Sequence, residues 1–180
     1  VVDTTIAGAC EGDYIITREF TATDDCGNAT SATQTITIID TTSPVFTNIP
    51  ADYTAECSDD HPMDDASATD NCGDVTIDVV DTTIAGACEG DYIIIREFTA
   101  TDDCGNATSA TQTITIIDTT APVLTIPVDY TAECSDDHPM DDASATDNCG
   151  DVTIEVVDTT IAGACEGDYI ITREFTATDD

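Results

Sequence analysis

The chain has 180 residues, of which 38 are acidic, three are arginine and none is lysine, giving a formal net charge of −35. So negative a surface is repelled by nucleic acid and by anionic membrane, which sets both aside as partners. At 41% hydrophobic residues the chain is nevertheless too apolar for an acidic disordered tail, so it is expected to fold.

Along the chain, Val45 to Cys57 reads as a weak opening strand. Three stronger strands follow, where β-branched and aromatic residues cluster with period two between turn residues: Asp74 to Val80, Tyr92 to Thr101 and Thr111 to Ile117. Val75, Ile77 and Val79 share a face of the first, and Ile114 and Ile116 share a face of the last, opposite Thr113 and Thr115. Thr125 to Cys134 opens the series again. No segment has helical periodicity, and the longest apolar stretches, such as Tyr92 to Ile95, fall far short of the roughly 18 residues of a membrane-spanning helix.

The series repeats because the sequence does. Residues 41–118 return almost letter for letter from residue 119, and residues 1–40 match the tail of the same unit, Val1 to Thr5 aligning with Val79 to Thr83. The copies differ at a few sites, among them Thr17, Ile95 and Thr172, and in one short indel where Phe46-Thr-Asn-Ile-Pro stands against Leu124-Thr-Ile-Pro. The expected organisation is the C-terminal part of one repeat (1–40), a complete repeat of about 78 residues (41–118) and a repeat lacking its last strand (119–180). The expectation is of a window on a longer array, where repetition serves reach or number rather than catalysis.

Nine cysteines at fixed spacing in small repeats predict disulfides formed in an oxidising, extracellular compartment. Zinc is the weaker alternative, since there is no Cys-x-x-Cys pair and the histidines, His61 and His138, come one per repeat, in turns. Short strands, frequent polar turns and the repeat length predict an all-β chain of tandem immunoglobulin-like β-sandwiches.

The run from Tyr92 through Arg96-Glu-Phe-Thr-Ala-Thr-Asp-Asp-Cys-Gly-Asn106, the following Thr113-Ile-Thr-Ile-Ile-Asp-Thr-Thr-Ala-Pro-Val123 and the loop Asp70-Asn-Cys-Gly73 resemble hyalin-repeat (HYR-like) domains. They are most similar to the four-cysteine variant in giant bacterial cell-surface adhesins and filament proteins. The resemblance covers the whole chain and implies an immunoglobulin-like sandwich in a cell-surface array, with no catalytic residues. The short connection from Val80 to Cys88 departs from it, leaving little room for middle strands.

On such a sandwich the loops of Cys72 and Cys104 meet at one end, which pairs Cys72 with Cys104 and leaves Cys57 for Cys88, with Cys134 and Cys165 as the counterparts of the latter pair. An extended Tyr92 to Thr101 strand keeps Cys88 and Cys104 far apart. The rival scheme, Cys57 with Cys72 and Cys88 with Cys104, remains open if that strand is absent.

The same placement gathers carboxylates. Asp59, Asp60, Asp64, Asp65, Glu89 and Asp91 fall toward one end of the second repeat, Asp118 lies in the linker, and Asp147, Asp151, Asp179 and Asp180 fall at the facing end of the third. Crowded carboxylates need a cation between them, and calcium, with six to eight oxygen ligands, suits irregular loops. No EF-hand spacing is present, and solvated surface acids are the alternative.

Arg18, Arg96 and Arg173 occupy one position per repeat, in phase with Ile94 and Phe98 on the middle copy, and are expected to clamp acidic loops, with Phe98 beneath Arg96. Tyr14, Tyr92 and Tyr169 follow Gly-Asp at a strand start, the place of a tyrosine corner. Asn28-Ala-Thr30 and Asn106-Ala-Thr108 match the glycosylation sequon, and without lysine no Lys–Asn isopeptide bond can form.

No nucleophile elbow, zinc-protease helix or phosphate loop occurs. The expected function is a non-enzymatic shaft of an extracellular filament or giant cell-surface adhesin, stiffened by disulfides and calcium. Its partners are neighbouring repeats and, laterally, other copies. A multivalent glycan- or surface-binding module is the alternative, disfavoured by the scarcity of aromatics and absence of tryptophan. A spacer on a secreted enzyme is the other.

Overall fold

The structure, a computed structural model, describes residues 1–136 and 138–179. Among them there are thirteen strands and no helix: β1 (Val2–Ala7), β2 (Tyr14–Thr23), β3 (Ala29–Ile38), β4 (Val45–Asn48), β5 (Tyr53–Glu56), β6 (Ser67–Thr69), β7 (Val75–Ala85), β8 (Tyr92–Asp102), β9 (Ala107–Ile117), β10 (Val123–Thr125), β11 (Ser144–Thr146), β12 (Val152–Ala162) and β13 (Tyr169–Asp179). The sheets have the orders β1-β2-β3, β4-β6, β5-β9-β8-β7, β10-β11 and β12-β13.

The period-two stretches become strands, with differences: β9 starts early, at Ala107, and Val45 to Cys57 is not one strand but two, β4 and β5, in different sheets. β7 runs on to Ala85, and Val79 is exposed rather than sharing the half-buried face of Val75 and Ile77. The Thr125 to Cys134 expectation fails beyond β10, although Tyr53–Glu56, its counterpart in the preceding copy, is strand β5. β5 is an edge strand held by parallel pairing with β9, Tyr53 opposite Ile114 and Glu56 opposite Ile117. Among the described residues no strand pairs with 130–133 as β9 pairs with β5, so the backbone groups there lack that ladder.

The chain divides into two compact units. The first comprises Val1–Asp52, Pro62–Thr82 and Ile95–Thr113. Phe98 and Ala100 are fully buried in it, and Arg96, on the same face of β8, is 5% exposed. An arginine tolerates this depth because Nε and Nη1 find partners: Nε faces Asp81 at 3.2 Å, and Nη1 donates to the Asp64 carbonyl at 2.7 Å and to Gln112 Oε1 at 3.4 Å. The guanidinium carbon stands 5.1 Å from the centroid of the Phe98 ring, which adds a cation–π contact. Buried Gln112 in turn donates to the Ala51 carbonyl. Arg18, in the same unit, meets its cross-strand partner Asp3 at 2.9 Å but is only half-buried.

The second unit comprises Tyr53–His61, Thr83–Ile94 and Ile114–Asp180. Its core is Ile94, Ile114 and Ile116, against which Tyr53, Ala55 and Tyr92 pack. Arg173 repeats the arginine clamp, with Asp158 at 3.0 Å, the Asp141 carbonyl at 2.7 Å and the Phe175 ring at 5.0 Å. Tyr169 is exposed at the start of β13, its ring edge-on to His138, as Tyr14 is exposed at the start of β2. His61 and His138 bond through Nε2 to the carbonyls of Glu56 and Glu133, which makes them turn residues.

Phe98→Ala removes both a fully buried ring and the face beneath Arg96. Urea unfolding is expected to show a loss of about 3 to 5 kcal/mol, with the m-value unchanged.

Candidate metal centre

Three kinds of loop bring carboxylates together, and each is held by hydrogen bonds from backbone N–H groups to an aspartate. In the Asp102-Asp-Cys-Gly-Asn106 turn, Asp102 Oδ1 accepts the backbone N–H groups of Cys104 (2.9 Å) and Asn106 (2.8 Å), and Oδ2 accepts Asn106 Nδ2 (2.9 Å). Gly105 supplies the left-handed residue at φ 86°. The Asp24 to Asn28 turn repeats the pattern. In the second loop, Asp70 Oδ2 accepts the Cys72 N–H and Asp147 Oδ2 the Cys149 N–H, both at 2.8 Å. In the linker, the Asp40 N–H donates to Asp13 Oδ1 and the Asp118 N–H to Asp91 Oδ1, again at 2.8 Å.

Carboxylate oxygens from these loops lie close to one another. In the first unit, Asp40, Asp70 and Asp102 each present an oxygen within 4.8 Å of the other two. In the second unit, Asp118, Asp147 and Asp179 do the same. Asp40 is 9% and Asp102 6% exposed. Asp40 Oδ2, Asp70 Oδ1 and Asp147 Oδ1 are buried with no hydrogen-bond partner.

A buried acceptor without a partner is costly, and three carboxylates this close repel one another as well. Arg96, the only cation in its repeat, is already engaged with Asp81, Asp64 and Gln112. The donor set is all carboxylate oxygen, the chemistry of a hard divalent cation such as calcium. Two further trios, Cys10/Asp13/Cys104 and Cys57/Asp118/Cys149, do not fit a thiolate metal, because their sulfurs are oxidised.

Burial pushes the Asp102 carboxyl up, but hydrogen bonds from the Asn106 side chain and from the Asn106, Cys104 and Gly105 backbone outweigh it and hold the group below its ordinary value. Asp24 is likewise lowered, chiefly by the Asn28 side chain. Because Asn106 Nδ2 serves Asp102 and also lies 3.4 Å from the Asp40 carbonyl, a glycan on this sequon would displace both contacts.

Of the carboxylates expected to share a cation, Asp118, Asp147 and Asp179 come together, and Asp91 supports them by accepting the Asp118 N–H. Glu89 approaches Gly150 but not the trio. Asp59 caps its own turn through the Glu56 N–H, Asp64 offers its carbonyl to Arg96, and Asp60, Asp65 and Asp151 are exposed outside the trios. These carboxylates sit on turns that solvate them instead of facing a neighbour's loop. Asp180 lies outside the described residues. Asp40, Asp70 and Asp102 were not singled out from the sequence, although each is the repeat counterpart of one of the assembled three.

The disulfide pairing requires correction. Cys104 bonds to Cys10, not Cys72, and Cys57 bonds to Cys149, not Cys88, with Cα–Cα distances of 5.0 and 5.8 Å. Cys72, Cys88, Cys134 and Cys165 are free, as is Cys26, so the counterpart pair of Cys134 and Cys165 is not formed, nor is the rival scheme. The sulfurs that reach bonding distance belong to successive repeats, 94 and 92 residues apart, because the loop that carries one cysteine packs on the next repeat's loop.

Comparison with protein-family models and with curated proteins finds no match for this chain.

The turn predicts a pH dependence. The folded carboxyl of Asp102 titrates below the ordinary value near 3.8, so its stabilisation is complete above that value and is lost as the pH falls through the lower, folded one. In chelator, carboxyl-carbon NMR titration should show this midpoint moving back up in Asn106→Ala.

Proposed function

We propose that the chain is part of a tandem array of HYR-like, immunoglobulin-like domains that forms the non-enzymatic shaft of an extracellular filament or giant cell-surface adhesin, with calcium held where successive repeats meet. The domains on this reading are 1–40, 41–118 and 119–180. The observation that carries it is the duplicated carboxylate trio with its orphaned buried oxygens. In each trio the linker aspartate at the end of one repeat (Asp40, Asp118) faces two loop aspartates of the next (Asp70 and Asp102, Asp147 and Asp179).

A cation there neutralises charge contributed by two repeats at once, so binding it resists bending or parting them. That is a mechanical role, and its repetition at each junction suits a shaft. The long-range disulfides support an oxidising environment, consistent with the cell exterior. The high negative charge keeps such an array soluble until cations bind, and lateral packing of copies would then depend on the same ions.

Thermal unfolding of the intact, oxidised chain tests this. At a hundredfold excess over Kd, calcium adds about 2.7 kcal/mol per site, and the midpoint should rise in calcium and fall in chelator, with magnesium less effective. Asp70→Asn combined with Asp147→Asn should have opposite effects in the two conditions: a higher midpoint than wild type in chelator, because a repelling charge is gone from each trio, and a much smaller gain from calcium. A wild-type midpoint indifferent to calcium would remove the cation from this reading.

A further inference from the structure

The two disulfides are unlike in register. Numbered within the repeat, Cys57, Cys72, Cys88 and Cys104 are the first to fourth cysteines. Cys57–Cys149 then joins a first cysteine to the second of the next repeat, whereas Cys10–Cys104 joins a third to the fourth of the next. Each compact unit holds one of these bonds.

The surroundings of the two bonds are nevertheless the same structure. A Cβ added to Gly12 would lie 2.8 Å from that of Asp40 and 2.9 Å from that of Cys72; added to the equivalent Gly90, it would lie 2.9 Å from that of Asp118 and 3.1 Å from that of Cys149. A Cβ added to Gly73 would lie 3.7 Å from that of Glu11, and one added to Gly150 would lie 3.7 Å from that of Glu89. The linker bonds, Asp40 to Asp13 and Asp118 to Asp91, are both 2.8 Å. Both carboxylate trios are present as well. Repeat-equivalent residues therefore make equivalent contacts in the two units, and the two bonds occupy different positions of one common junction.

We infer that each junction between successive repeats is closed by two disulfides, first cysteine to second and third to fourth of the next repeat. On this scheme Cys72 and Cys88 are half-sites. Cys72 sits where Cys149 sits in the other unit, and takes the first cysteine of an adjoining repeat. Cys88 sits where Cys10 sits, and takes the fourth. The remaining free cysteines follow without exception: Cys26 is a fourth, Cys134 a first and Cys165 a third, and each has its scheme partner at a position that residues 1–180 do not contain. The sulfur ligand is thus a cysteine of another repeat of the same kind. Each bridge forms by exchange with a small-molecule disulfide such as glutathione disulfide: two protein thiols become one disulfide, and the two electrons and two protons leave in two molecules of reduced glutathione. The scheme goes beyond the shaft reading and does not depend on calcium.

The mechanical consequence is that tension passes from repeat to repeat through sulfur, bypassing loops of 94 and 92 residues that would otherwise unravel. Two such bonds per junction also fix relative rotation, which one bond leaves free.

Peptide mapping of the chain tests the scheme, after oxidation with glutathione and alkylation under denaturing conditions. The native chain should give the Cys10–Cys104 and Cys57–Cys149 peptides, with Cys72 and Cys88 alkylated. A chain extended past Asp180 by the sequence of residues 104–118 supplies the missing fourth cysteine. Alkylation of Cys88 should then drop from stoichiometric to near zero, and a peptide linking it to the added cysteine should appear. Carrying Cys57→Ser and Cys149→Ser in the same extended chain leaves that link intact, since the linker and the trio still set the junction. Cys88 remaining alkylated in both extended forms, or the added cysteine linking to Cys149 or Cys165, would overturn the scheme. The calcium response is read separately, so either conclusion can fail alone.

Discussion

The covalent bond between sulfurs of different repeats is the constraint from which the rest of the architecture follows. Cys10–Cys104 and Cys57–Cys149 close loops of more than ninety residues, and in the chain-entropy account a loop of that size is stabilised by about 4 to 5 kcal/mol. Repeats of this length bury little. The fully buried side chains are few, chiefly Phe98, Ile114 and Ile116 with Gln112. A core so small needs staples. By spanning the junction rather than the interior of a repeat, the staples stabilise the fold and the connection between folds together.

The same junction concentrates charge. Asp40, Asp70 and Asp102, and again Asp118, Asp147 and Asp179, are held close by loops whose geometry their own carboxylates maintain. Asp40, Asp70 and Asp147 each use one oxygen to shape backbone and leave the other buried without a hydrogen-bond partner. The cysteines lie two residues beyond Asp70, Asp102 and Asp147 in these loops, so the turn that orients the carboxylate also orients the sulfur. The proposed cation binding and the disulfides would then share one structural requirement, the docking of a linker against two loops of the next repeat.

Arginine serves a different end of the economy of charge. With only three cations in the chain, each is assigned to a cross-strand aspartate, and Arg96 and Arg173 also bind a backbone carbonyl and an aromatic face. They hold together the interior of a repeat and leave the junction carboxylates uncompensated. The trios are therefore electrostatically open sites rather than quiet ion pairs.

Much of this was legible in the sequence. Period-two runs of β-branched residues located β7, β8 and β9 because side-chain alternation is a local property of an extended chain. The phase of Arg96 with Ile94 and Phe98 placed it on the inner face for the same reason. The aspartates of the linker and of the two loops stood out, and their counterparts one repeat earlier were available by register. What the sequence did not determine was partnership. Whether Cys104 meets Cys72 or Cys10 depends on whether a loop packs within its own repeat or against the next, and both partners are the same residue type in short turns that contain glycine. The β5 pairing shows the same limit: Tyr53–Glu56 is a strand while its repeat, Tyr130–Glu133, is not, because a parallel edge strand exists only by virtue of its neighbour. Local pattern decides what each segment can form, but only the three-dimensional packing of one repeat on another decides which equivalent atoms come within a bond's length.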